Sequence, residues 1–308
     1  MIKRLRQMLE MIRFSHTLFA LPFAMMAAMM AWTVLPTNGE KIAFRFQDLL
    51  GIVACMVAAR SAAMAFNRLV DRKIDAANPR TEGRHLPQGT LPASSVLLFT
   101  CVSSLAFVAS TLLFLPNRLP ILLSVPVLAF LLLYSFTKRF TSLAHFYLGA
   151  SLMLAPVCAW IALRGELLAE NPADILPALV IGLSVLLWVG GFDIIYACQD
   201  VEVDRQAQLH SVPARIGVSA ALRLAALCHL AMLLVLLVLP HVNRLGGPIL
   251  SLGWIYHAGL VGVGGLLIYE HSVVRPDDLA RVNIAFFRVN AVVSVGLFFL
   301  VTLDLLTC

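Results

Sequence analysis

Nine apolar stretches dominate this chain of 308 residues, near 14–35, 48–70, 93–115, 119–136, 144–163, 175–199, 219–239, 250–269 and 283–303. A helix needs ~20 apolar residues to cross a hydrocarbon core, and these stretches lie close to that length. Over such lengths only helices satisfy their own backbone polar groups in lipid. The composition agrees: 60% of residues are hydrophobic and 13% charged, against about a half and a quarter in a soluble domain. The expected fold is all-α, a polytopic membrane bundle of nine transmembrane helices. The first stretch, from Phe14 to Leu35 behind a basic start, is too long for a signal-peptide core and is read as a retained span.

The basic residues orient the bundle. With nine spans, seventeen of the 23 lysines and arginines fall on the side of the N-terminus, five on the other, and Arg60 inside a span. By the positive-inside bias the N-terminus and the large basic loops are cytosolic, and the C-terminus is outside. The net charge of +6 then suits anionic headgroups and an anionic substrate, and nucleic-acid binding is not expected. The six cysteines form no CxxC pair, and the eight histidines show no metal-binding spacing.

Against this oily background, acids stand out at two places. In "NRLVDRKID", Asn67, Asp71 and Asp75 recur every four residues and share one helix face. In "YACQDVEVD", Tyr196, Asp200 and Asp204 repeat the spacing, with Asp193 seven residues before Asp200. Both segments end even-numbered spans, so both reach the same membrane surface. Carboxylates gathered there repel one another unless a positive charge lies between them. Magnesium is the expected one, since it takes oxygen ligands and is often bound by one or two carboxylates plus phosphate oxygens. The candidate ligands are Asn67, Asp71, Asp75, Asp200 and Asp204, and the metal would carry a diphosphate. Lys138 and Arg139 at the next turn, and Arg72, are candidates for the remaining diphosphate oxygens. Arg60 lies two turns deeper than Asn67. A charge at that depth reads as functional, pairing with a substrate carboxylate or the diphosphate, or as a structural partner of Asp193.

At these residues the chain resembles the UbiA superfamily of intramembrane aromatic prenyltransferases. The likeness rests on N-x-x-x-D-x-x-x-D at 67–75, D-x-x-x-D at 200–204 and Y-x-x-x-K-R at Tyr134, Lys138 and Arg139, and extends to "HTLFALPF" (16–23), "NPRTEGRHLPQG" and "HSVPARIG". The resemblance implies a single domain over 1–308, with nine helices around a central cavity open sideways to lipid. It also implies two magnesium ions holding a polyprenyl diphosphate, in a bacterial inner-membrane setting. The activity implied is transfer of the polyprenyl group to a ring carbon of an aromatic carboxylate in ubiquinone or menaquinone biosynthesis. The acceptor is 4-hydroxybenzoate or 1,4-dihydroxy-6-naphthoate. The residues do not separate these two, with a slight preference for the naphthoate.

In that chemistry Asp71, Asp75, Asp200 and Asp204 are metal-holding catalytic residues. Arg60, Asn67, Arg72, Lys138, Arg139 and Tyr196 contact substrate. Asp193 or Asp204 is a candidate for the base that removes the ring proton, as is the departing pyrophosphate. His16 is a candidate acceptor contact near the entrance. The rival classes are a secondary transporter of a cytosolic anion and a phospholipid phosphotransferase. The acids cluster at helix ends on one surface, where a transporter carries them at mid-membrane with inverted repeats.

Overall fold

The structure is a computed structural model and describes residues 7–8, 10–12, 19–34, 42–279 and 281–307. Each expected stretch contains a helix: α1 (Leu21–Thr33), α2 (Phe46–Ala77), α3 (Ala93–Ser110), α4 (Leu119–Thr137), α5 (Ala144–Arg164), α6 (Leu176–Ala197), α7 (Val218–Val238), α8 (Trp254–Val273) and α9 (Asn290–Thr307). Among the described residues there is no strand, only one isolated bridge between Arg275 and Asp278. The all-α reading stands.

Among the described residues seven of these nine helices, α2 to α7 and α9 with their short extensions, are long and apolar enough to cross a membrane. α1 has 13 residues, and at 1.5 Å each it rises only ~20 Å. α8 has 20 residues but carries His257, Glu270 and His271, which lower its hydropathy. Large apolar side chains such as Leu98, Leu105, Val261 and Phe299 cover the outer faces and stay exposed, as a lipid-facing surface requires. The interior is closed by an aromatic cluster in which Trp188 and Phe192 of α6 meet Phe19 and Phe23. Met26 and Met30 of α1 are buried in the same core.

Packing runs from helix to helix. α2 lies along α3 and α4, α4 along α5, α5 along α6 and α1, α6 along α7, and α9 joins α8 to α1. Gly149 lets α5 come against α6, since a Cβ there would sit 2.4 Å from the Leu186 carbonyl oxygen.

Two helix ends matter for function. α2 has 32 residues and rises ~48 Å, well beyond a hydrocarbon core of ~30 Å. Its last turns, with Asp71 and Asp75, therefore reach past the apolar layer. The helix stops where Asn78 precedes Pro79, a context that disfavours helical backbone. Asn78 is extended, with φ −103° and ψ 117°. α6 breaks at Ala197 into a 3-10 turn (Cys198–Asp200) and a short helix (Val201–Gln206). At the other end of the bundle, Arg164 and Asp174 form a buried two-point ion pair with contacts of 2.6 and 2.8 Å. The Trp160 indole also donates to Asp174.

Candidate active site

The ends of α2, α4 and α6 converge on one polar cavity with about 660 Å³ of space, its open side included, lined by Asn67, Asp71, Asp75, Lys138, Asp200 and Asp204 among others. The 67–75 face is intact: Asp71 and Asp75 are buried, and Asn67 Nδ2 donates to Asp71 Oδ2 at 3.1 Å. The two acidic segments thus face each other, as their matched spacing requires.

The positive charges between the acids come from the chain itself. Lys138 Nζ donates to Asp71 Oδ2 at 2.6 Å, and Arg139 Nη2 reaches Asp71 Oδ1 at 3.4 Å. Arg84 Nη1 donates to Asp75 Oδ1 at 2.7 Å, and Arg68 stands 3.7 Å from Asp75 Oδ2. Arg80 forks onto both oxygens of Asp200 and also donates to the Tyr196 hydroxyl at 2.7 Å. Asn78 Nδ2 adds a bond to Asp200 Oδ1. Burial alone would lower the Arg80 pKa, but Asp200 and Tyr196 outweigh it and the pKa is raised. The guanidinium therefore stays charged.

A second, apolar cavity adjoins the polar one. It contains about 1290 Å³ of space, including its open side, between α1, α2, α3, α4 and α5. Asn67 and Tyr134 line both cavities. A long hydrocarbon fits one side of that junction and a multiply charged headgroup the other. Arg60 is the charged residue lining the apolar cavity, and its buried Nε has no hydrogen-bond partner. The alternative pairing with Asp193 does not occur: Asp193 Oδ2 is held instead by His145 Nδ1 at 2.7 Å.

Not every expected residue reaches the cavity wall. Arg72 is exposed and donates to the Leu69 carbonyl of its own helix, away from the acids. Arg139 and Tyr196 act from behind, through Asp71 and Arg80. His16 and Arg13 lie outside the described residues. Spacing alone does not reveal Arg80, Arg84, Asn78 and His145. The first three sit in the loop after α2, and charge balance was the available signal: four acids at one surface need bases nearby.

The donor chemistry fits magnesium. Asn67, Asp71, Asp75, Asp200 and Asp204 offer only hard oxygen atoms, and Asp75 Oδ2 is buried without a hydrogen-bond partner. Among the described residues no group of three acidic, histidine or cysteine side chains forms a cage. Magnesium commonly takes one or two carboxylates and completes its shell with water and substrate phosphate.

Residues 18–292 match the family model described as the UbiA prenyltransferase family. A 4-hydroxybenzoate octaprenyltransferase of Alcanivorax borkumensis is 33% identical over 248 residues, covering 79% of each chain. The apo structure of a UbiA homolog from Aeropyrum pernix superposes with a TM-score of 0.79 at 28% identity, over 94% of this chain and 98% of that one. A UbiA homolog from Archaeoglobus fulgidus, bound to DMAPP and Mg2+, shares the fold with a TM-score of 0.64 at 16% identity, over 96% and 99% of the two chains.

Proposed function

Because this chain belongs to the UbiA prenyltransferase family, we propose that it transfers a polyprenyl group from its diphosphate to a ring carbon of an aromatic hydroxycarboxylate. The observation that carries this reading is the junction at Asn67 and Tyr134, where a charged cavity opens into an apolar one. The diphosphate occupies the charged side and the prenyl chain the apolar side. The relatives named for 4-hydroxybenzoate make it the first acceptor to test. The same carboxylate-bearing phenol pattern occurs in 1,4-dihydroxy-6-naphthoate.

In this reading Lys138, Arg68, Arg80 and Arg84 exchange part of their bonding to the acids for the diphosphate. Asn67, Asp71, Asp75, Asp200 and Asp204 are then the oxygens that hold magnesium. Magnesium supplies charge neutralisation on the leaving diphosphate. The allylic C–O bond breaks, the electron-rich ring carbon forms the new C–C bond, and the ring proton leaves. Lysine and arginine placed around the departing oxygens stabilise the charge that grows there. The apolar walls, including Met56, Met64, Leu131 and Leu152, keep water from the electron-poor prenyl carbon. Arg60 pairs with the acceptor carboxylate and so turns the ring toward that carbon. The ring proton goes to Asp204, which lines the polar cavity, to Asp193, which lines neither cavity, or to the pyrophosphate. The acid-bearing surface is the cytosolic one, following the basic-residue bias.

Membranes containing the chain are given labelled polyprenyl diphosphate and each acceptor separately. Label in a prenylated aromatic acid is the expected result. Diphosphate hydrolysis without a C–C-linked product from either acceptor overturns the proposal.

A further inference from the structure

His145, on the first turn of α5, makes two hydrogen bonds that together settle its protonation pattern. The Val212 backbone N–H points at Nε2 at 3.2 Å. A backbone amide only donates, so Nε2 must present its lone pair. The ring proton is then on Nδ1, which donates to Asp193 Oδ2 at 2.7 Å. The imidazole is buried, leaving both ring nitrogens committed inside the protein.

The two partners of His145 belong to different parts of the site. Asp193 lies on α6, three residues before Tyr196, whose hydroxyl accepts from Arg80. Val212 ends the segment that begins at Leu209, whose backbone N–H donates to the Asp204 carbonyl at 2.8 Å. The neighbouring His210 N–H donates to the Lys138 carbonyl at 2.8 Å. One imidazole therefore ties an acid of α6 to the segment behind the second acidic motif, and both to the turn carrying Lys138.

We propose that His145 is a positioning residue for prenyl transfer: fixed as the Nδ1–H tautomer by Val212, it orients Asp193 and docks the segment 209–212 that supports Asp204. This rests on the function proposed above, with Asp204 lining the polar cavity. With Oδ2 engaged by His145, the Asp193 carboxylate is held in one orientation. Partners of this kind, which orient another reactive or ligating group, typically change activity about 10–100-fold when removed.

The test compares H145L, H145Q and the unmodified chain in membranes. Leucine removes both hydrogen bonds. A glutamine amide offers one donor and one acceptor with a spacing close to that of the two ring nitrogens. H145L is expected to lower kcat about 10–100-fold while KM for the polyprenyl diphosphate changes less than about twofold, and H145Q to recover most of the loss. Imidazole 15N signals of the reconstituted protein should show His145 protonated on Nδ1 and bare on Nε2. An H145L variant with unchanged kcat, or an H145Q variant as impaired as H145L, overturns the positioning role. Protonation on Nε2 overturns the lock itself. A chain that forms no prenylated product while showing the Nδ1–H tautomer instead overturns the reading of the site, and the catalytic role of His145 with it.

Discussion

Replacing Arg60 with methionine should move stability and acceptor recognition in opposite directions. The Arg60 guanidinium lines the apolar cavity, and its Nε has no hydrogen-bond partner. Burying polar groups without partners costs free energy, and burying a charge costs more. Methionine keeps an unbranched apolar stem and removes that penalty. R60M is thus expected to unfold in detergent at the same temperature as the parent or higher. Acceptor binding should fall. A hydrogen bond to a charged group is worth about 1.5–3 kcal/mol, and 1.4 kcal/mol is tenfold. KM for a carboxylated acceptor should therefore rise ~10–150-fold. KM for the polyprenyl diphosphate should stay near its parent value. Prenyl transfer to a phenol lacking the carboxylate should not respond to R60M. The assay is a matched set of initial rates with the two acceptor types, beside a thermal melt. An R60M chain that loses stability while its acceptor KM stays constant refutes the argument, because Arg60 would then have a structural partner.

Three further outcomes follow from the structure. Chelating divalent ions with EDTA should abolish transfer, and added magnesium should restore it; D71A and D200A should each lose at least ~100-fold in kcat, measured by product label, with the fold retained by circular dichroism. D174N leaves Arg164 uncompensated at the far end of the bundle, where its side chain is 0% exposed. It should cost about 3–5 kcal/mol of stability in a denaturation curve without altering either KM.

Much of this protein was legible in the chain itself. Hydropathy over twenty-residue windows marks where helices lie, because lipid leaves a spanning backbone no other way to satisfy its polar groups. A four-residue spacing puts Asn67, Asp71 and Asp75 on one face because helical periodicity is local. The pairing of Asp200 and Asp204 was read the same way. The break at Cys198–Asp200 was not, and both acids still line the cavity across it.

Tertiary structure decided what those acids meet. Arg80 reaches Asp200 across 120 residues of chain, and Lys138 reaches Asp71 across 67. His145 takes Asp193, which the sequence offered as one alternative partner for Arg60. It also decided that Arg72, one residue after Asp71, turns away from the cavity. Periodicity and hydropathy are properties of neighbours along the chain, whereas these contacts depend on how separate helices pack and where their ends are held. The apolar cavity beside the acids likewise belongs to no single stretch. It is the space left between five helices, and its shape is set only once they are assembled.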